Sequence, residues 1–415
     1  MPSTVRLIAL LLFATLIPVA DLSASSEQVL YNFTVGDFQP GGVIFDAQGN
    51  LYGVSAGGGQ YGYGSVFELS PSANGWIETV LYSFMGGKDG RDPAQTQSLI
   101  FDKAGNLYGT TVDGGSTDTG TVFRLSRGTG GKWTKTVIHS FQVSPGEYPN
   151  AGLVFDAAGN LYGTTYGANG TVFEISPVGN SAKFQILHRF QFRSVQDGSG
   201  PRAALTVDAA GNLYGTTYVG GIVGCGIANS GCGTVFKLAP IAGGGWSYRQ
   251  IYRFQGRSDG ERPLANVVVR PTGDLYGTTL LGGISESNVC VSNYPGCGTV
   301  FKLSPNSDGT YTHSVIYMFN GPPTDGANPE SGLILDAAGN LFGTTQDRGA
   351  FGYGIVFELT ENSGAWQETV LHNFGQGSDG QSPDTQLIMD ASGNLYGTTP
   401  QGGENFDGTA FEITP

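Results

Sequence analysis

A chain of 415 residues with 68 glycines and only 13% charged residues is still not a disordered polymer, because 11% of it is aromatic and the glycines recur at fixed places. Its net charge of −14, with no Lys/Arg cluster to offset it locally, excludes a phosphate-tracking surface, so neither nucleic acid nor anionic membrane is an expected partner. A single repeat array running from end to end removes any need to divide it into several domains.

The N-terminus reads as a processing segment. Arg6 supplies a short positive region, Leu7 to Ala20 an apolar one, and Ala24-Ser25-Ser26 the small residues of a cleavage site. A retained anchor is disfavoured, since the apolar run falls short of the ~20 residues a bilayer span needs. The expectation is a signal peptide over 1–24 and one domain over 25–415, secreted or periplasmic, with no membrane span in the mature chain.

Residues 29–33, Val-Leu-Tyr-Asn-Phe, then read as a strand standing ahead of the first repeat. Seven copies of a stretch typified by Asp156-Ala-Ala-Gly-Asn-Leu-Tyr-Gly-Thr-Thr165 follow, starting at Asp46, Asp102, Asp156, Asp208, Arg270, Asp336 and Asp390. Their spacings of 56, 54, 52, 62, 66 and 54 residues define one supersecondary unit repeated. Each copy predicts four short strands: an apolar run such as Ser98-Leu-Ile-Phe101, the Leu-Tyr-Gly-Thr-Thr stretch, Gly-Thr-Val-Phe, and a run opened by an aromatic residue, as at Trp133.

The glycine of each turn, Gly159 in the third copy, sits where a tight hairpin needs positive φ, and the Asp before it can accept from the turn backbone. Calcium would need several oxygen ligands converging, and one Asp per turn does not supply them. Glycine in the middle of the second strand (Gly109, Gly163, Gly215) predicts that neighbouring sheets approach closely there.

The four cysteines form two local pairs, Cys225 with Cys232 and Cys290 with Cys297, each seven apart and just before a Gly-Thr-Val-Phe. In an exported chain they read as disulfides within one loop each. A zinc site would need tighter spacing or accompanying His.

The last repeat stops at Phe411-Glu-Ile-Thr-Pro415, its third strand, so the surplus strand at 29–33 fits the deficit. The expectation is an all-β, seven-bladed β-propeller of four-stranded antiparallel blades, closed by the N-terminal strand completing the last blade. An open solenoid would need caps instead.

The run Asp-Gly-x-x-Pro, an apolar strand, Asp-x-x-Gly-Asn-Leu-Tyr-Gly-Thr-Thr, Gly-Gly, then Gly-Thr-Val-Phe resembles the GloVer tandem-repeat family of exported bacterial proteins, over essentially all of 29–415. The resemblance implies a surface or secreted protein and carries no established activity. Members bear varied C-terminal anchoring signals, a pattern from which this chain departs by ending at Pro415 inside its last blade.

In a four-stranded meander the loops between second and third strands share one rim with the blade-to-blade connections, so a ligand is expected there. Recurrent Asp-Gly pairs in the connections, among them Asp89, Asp197, Asp259, Asp325 and Asp379, read as turn caps before a proline. His139, His188 and His372 share a repeat position with Tyr31, Tyr82, Tyr252 and Tyr317, which suits a polar-tipped strand site better than a proton shuttle. No Gly-x-Ser-x-Gly, His-Glu-x-x-His or phosphate loop occurs.

Departures from the repeat are the better guide. The fourth and fifth repeats carry long inserts at 219–231 and 281–296, near an excess of Arg that includes Arg193, Arg202, Arg257 and Arg262. Tyr61, Tyr63, Phe351 and Tyr353 decorate equivalent loops of the first and sixth repeats. Candidate ligand-binding residues are therefore Tyr61, Tyr63, Tyr353, Arg257, Arg262 and Asp259, an aromatic and Arg set suited to sugar stacking and carboxylate recognition.

The expected function is a non-catalytic binding module for a polysaccharide or cell-envelope ligand, monomeric, with no cofactor and no metal. An alternative is a polysaccharide lyase or glycoside hydrolase, which predicts that several of Tyr61, Tyr63, Arg257, Arg262, Asp259 and His313 converge. A structural surface protein is the further alternative.

Overall fold

The computed structural model describes residues 25–34, 36–95, 99–143, 146–176, 182–191, 197–221, 224–225, 230–283, 290 and 296–415. The expected signal segment, Arg193 and parts of both inserts lie outside the described residues. The chain forms seven antiparallel blades of four strands, the second extended by Arg91–Pro93, each ordered from innermost to outermost as in the third, Val154–Phe155, Leu161–Thr165, Thr171–Ser176 and Lys183–Arg189. Ser26–Asn32 pairs antiparallel with Thr409–Thr414 and completes the last sheet, so the seven-bladed propeller closes as expected.

The Asp, Gly, Asn, Tyr and Thr residues of the repeated stretch are used by the fold. In the fourth blade Asp208 accepts from the Asn212 amide at 2.9 Å, the Asn212 side chain at 2.7 Å and the Tyr214 hydroxyl at 3.1 Å. Gly211 has φ +80°, where any Cβ would be strained. The first threonine reaches the next blade, Thr216 donating to the Ala265 carbonyl at 2.9 Å, and the second meets its own third strand, Thr217 to Thr234 at 2.8 Å.

The fifth blade is informative because Arg270 replaces the Asp. Arg270 instead donates to the carbonyl of Gly339 in the next blade's turn, and the Tyr276 hydroxyl is left buried without a partner among the described residues.

The mid-strand glycines correct one expectation. A Cβ at Gly163 would lie 2.5 Å from the ring of Phe173 and 2.9 Å from Leu153, both in its own blade. The space is filled by the Gly-Thr-Val-Phe ring crossing its neighbour strand, not by an adjacent sheet.

Adjacent sheets are joined by phenylalanine. Phe33 meets Phe67, Phe84 meets Phe123, and Phe254 meets Phe301, with ring centroids 5.1 to 5.2 Å apart, and the other four junctions repeat the contact. Such pairs contribute roughly 0.5–1.5 kcal/mol each beyond the area they bury. A bulge in every outermost strand, such as that between Val235 and Phe236 in the fourth blade's pairing, re-aims the Tyr or His that follows.

Both expected disulfides form, Cys225–Cys232 and Cys290–Cys297. They lie over the backbone of Gly256 and Gly321, the glycines two residues beyond Phe254 and Phe319. Tyr63 covers Gly86 and Tyr353 covers Gly375 in the same way in the first and sixth blades. Disulfide and tyrosine thus both cover a glycine one or two residues beyond the joint phenylalanine, next to the connection between blades.

Candidate functional site

The Asp-Gly carboxylates are caps shared between a turn and a strand. Asp259 accepts from Tyr252 at 2.6 Å and the Gln255 amide at 2.7 Å, and Asp325 accepts from Tyr317 at 3.1 Å and the Asn320 amide at 2.6 Å. His372 and His188 hold the tyrosine's place beside Asp379 and Asp197, at 2.9 and 3.2 Å. The Tyr-or-His position is therefore the partner of the Asp-Gly carboxylate.

The second blade's outgoing connection lacks Asp-Gly, and His139 there stacks on Phe184 at 3.9 Å. Burial lowers its pKa to about 4.

A third group reaches each joint from the next blade's outermost strand. It is Glu78 beside Tyr31, Lys135 beside Asp89, Tyr248 beside His188, His313 beside Asp259 and Glu368 beside Tyr317. Where the third group is Glu, two carboxyls share one cramped site. Burial first, and the neighbouring Asp second, push Glu27 and Glu78 up to about 7, and Glu368 moves the same way. Glu27, His372 and Asp379 bring one ligand atom each within 4.8 Å and are the most metal-like grouping among the described residues. His372 Nε2, however, already faces Asp379.

The candidate residues do not assemble into one constellation. Asp259 and His313 meet at 3.2 Å in the joint between blades four and five. Tyr61, Tyr63 and Tyr353 are exposed on the first and sixth blades, and Arg257 is exposed on a short 3-10 turn, Arg257–Asp259. Arg262 alone reaches the channel mouth, and it leads to residues outside the candidate set.

Down the propeller axis runs a cavity of about 590 Å³ walled by innermost strands, including Ile44, Ile100, Val154, Val207, Ile334 and Ile388. Asn266 and Gln386 narrow it with polar tips on either side of Gly332. On the loop-rich side, ahead of the innermost strands that wall the cavity, the residue after each connection proline marks the way into its mouth: Gly41, Ala94, Asn150, Arg202, Leu264, Glu330 and Asp384. The residue before each proline has left-handed φ, for example Arg262 at +59° and Asn328 at +60°. Its amide bonds the previous blade and its carbonyl its own, as Arg262 N to Cys232 O at 2.8 Å and Leu280 N to Arg262 O at 3.1 Å. A left-handed residue at every junction, non-glycine at all but Gly200, fixes where the following side chain enters the mouth.

At that mouth Arg202 lies 4.3 Å from the Tyr166 ring and 4.5 Å from the Tyr218 ring. Arg262 continues the ladder, 4.9 Å over Tyr218 and donating to its hydroxyl at 2.6 Å. The Nε of Arg202 is buried with no hydrogen-bond partner among the described residues.

Opposite stand carboxyls from the sixth and seventh blades. Burial, then the charges of Asp384 and Asp347, raise Glu330 to about 7 against the pull of Arg202, and burial raises Asp384 to about 6. Sequence reasoning named Arg202 only within the Arg excess and missed Tyr166, Tyr218, Glu330 and Asp384. The available signal was chemical variety at one fixed place, the residue after the proline.

The Gloeobacter/Verrucomicrobia repeat model matches residues 19–229, 136–292 and 227–415. No curated protein matches significantly. Among solved structures, a candidate 6-phosphogluconolactonase from Bacteroides uniformis is 16% identical with TM-score 0.49, covering 79% of this chain and 83% of its own. A gluconolactonase from Xanthomonas campestris is 12% identical with TM-score 0.42, covering 77% and 86%. A candidate gluconolactonase solved by structural genomics is 14% identical with TM-score 0.43, covering 94% and 92%. At these values none of the three supplies an activity for this chain. The three family matches together span nearly all of it, and the chain belongs to the Gloeobacter/Verrucomicrobia repeat family.

Proposed function

We propose that the protein is an exported, non-catalytic binding module that recognises an extracellular polysaccharide or envelope component through its loop-rich rim. The observation that carries this reading is the ladder Tyr166, Arg202, Tyr218, Arg262 at the mouth of the axial cavity. Aromatic rings offer flat apolar faces for sugar C–H groups, and guanidinium edges and carboxyls offer hydrogen bonds to hydroxyls. Two disulfides suit an oxidising compartment.

The test is affinity electrophoresis of residues 25–415 against a broad polysaccharide panel, with the mixtures sampled over time for chain shortening. Retardation without shortening supports a binding module. Absence of retardation by every glycan and envelope fraction removes it.

One observation favours a second reading, an enzyme of polysaccharide breakdown. Glu330, raised above the usual carboxyl range within reach of the Arg202 charge, and Asp384, raised by burial, are groups of the kind that exchange protons with a glycosidic oxygen. Shortening of a retained polymer, lost in E330Q, would establish that reading over the first.

A further inference from the structure

Arg202 shares a buried, unbonded Nε with Arg124 and Arg262, and differs from them among the described residues in lying against two tyrosine rings. Its guanidinium is fixed by two tyrosine rings, yet its Nε is buried and bonded to nothing, and no carboxylate is within 4.0 Å of it among the described residues. Glu330 is close enough for Arg202 to draw its pKa down, but it is not paired with it. A half-buried arginine held against two rings, with Glu330 near but not bonded to it, leaves an unspanned gap between donor and acceptor.

We propose that this gap is a subsite for an acidic sugar, with the sugar carboxylate on the edge of Arg202 and its hydroxyls donating to Glu330 and Asp384. The inference rests on the glycan-binding reading above and names the chemical class it takes. A guanidinium edge matches a carboxylate with two parallel N–H donors, which a lysine cannot reproduce. The surrounding charge selects among anions. Asp347, Asp384 and Glu330 all act on this mouth in a protein of net charge −14, so a dianionic phosphate or a densely sulfated chain meets repulsion. A monoanionic uronate with several free hydroxyls uses the single positive edge and gives the carboxyls something to accept. The rings of Tyr166 and Tyr218, with Tyr166 39% exposed, extend the surface over which such a sugar can lie.

The test uses residues 25–415 with two uronate polymers, polygalacturonate and alginate, each beside its carboxyl-reduced neutral form, and with neutral glucans and galactans. The comparison is wild type against R202Q and R202K, each first checked to be fully folded at the assay temperature. The expected result is tenfold or stronger retention of at least one uronate polymer over its reduced form, abolished by R202Q and only partly kept by R202K.

Equal retention of acidic and reduced forms, or retention of neutral glycans alone, overturns the carboxylate subsite and leaves the glycan-binding reading standing. Selective retention that R202Q does not weaken also overturns it. Retention of no polymer at all removes both together. If R202Q is unfolded at that temperature, E330Q takes its place, and the expected outcome is a weakened hold on the uronate with its preference over the reduced form retained. Unchanged retention by E330Q counts against the subsite.

Discussion

At the tight-turn end of the propeller, Asp46, Asp102, Asp156, Asp208 and Asp390 each accept from the Asn and the Tyr of the same turn. At the loop-rich end, the residues following the seven prolines are Gly, Ala, Asn, Arg, Leu, Glu and Asp. The first end repeats one solution because each blade must make the same turn. The second end holds its backbone constant, with left-handed φ before every proline, and varies only what projects from it. In a repeat protein, residues that recur are consumed by folding, and a fixed position with changing chemistry is where a ligand can be specified.

The comparison breaks most visibly at the phenylalanine joints. Phe301 is fully buried against Phe254 of the previous blade, and F301A is expected to cost about 3–5 kcal/mol in urea unfolding. A cost below 1 kcal/mol would mean that the blades do not depend on this ring.

Next come the staples. Replacing Cys290 and Cys297 by Ser opens a short loop and uncovers Gly321, with an expected loss of about 2–3 kcal/mol by the chain-entropy account. The same pair of changes is expected to leave the Arg202 ladder intact, so glycan retention persists below the shifted transition. Loss of retention at full folding would place the fifth-blade insert in the site.

A smaller effect separates the joints from both ends. Glu27 and Glu78 titrate near 7 in the fold and near 4.5 unfolded, so the native state holds more protons between those values. Their contribution is fully present below about 4.5 and is lost as pH rises through about 7. Glu330 and Asp384 run in the same direction. His139, lowered to about 4, opposes them, since its neutral burial favours the fold above 6.5 and is lost as pH falls through 4.

With more carboxyls than imidazoles in play, thermal stability is expected to be higher at pH 5.5 than at pH 8. E78Q is expected to flatten that slope. An E78Q slope equal to wild type would show that the joint carboxyls are ionised at neutral pH.

The smallest stability change is expected at the mouth itself. R202Q removes two cation–ring contacts but no hydrogen bond among the described residues, and should cost about 0.5–1 kcal/mol. A loss above 2 kcal/mol would make Arg202 a structural counter-charge for Glu330.

The blade number, the closure and both disulfides were legible in the sequence because each depends on a period, a count or a short spacing. The capping role of Asp259 and Asp325 was legible for the same reason. The mouth was not, because Tyr166, Arg202, Tyr218 and Glu330 belong to three blades and meet only when the ring closes. Tyr63 and Tyr353 were legible as exposed aromatics of the rim loops, but not their packing partners. Their rings lie across Gly86 and Gly375, and contact between a side chain and a distant glycine backbone leaves no mark on spacing. The mid-strand glycines misled in a related way, since the Phe that fills Gly163 comes from the blade's own third strand.

The central claim, that one end of the ring folds the protein and the other binds, is tested most directly by measuring retention and thermal unfolding together for Y218A and D208N. Y218A removes a rung of the ladder, and D208N weakens one repeated turn. The account predicts that Y218A loses retention of a bound polysaccharide with little change in its transition. D208N is predicted to keep retention while its transition falls. Retention lost in D208N and kept in Y218A, with both proteins folded, would contradict the account.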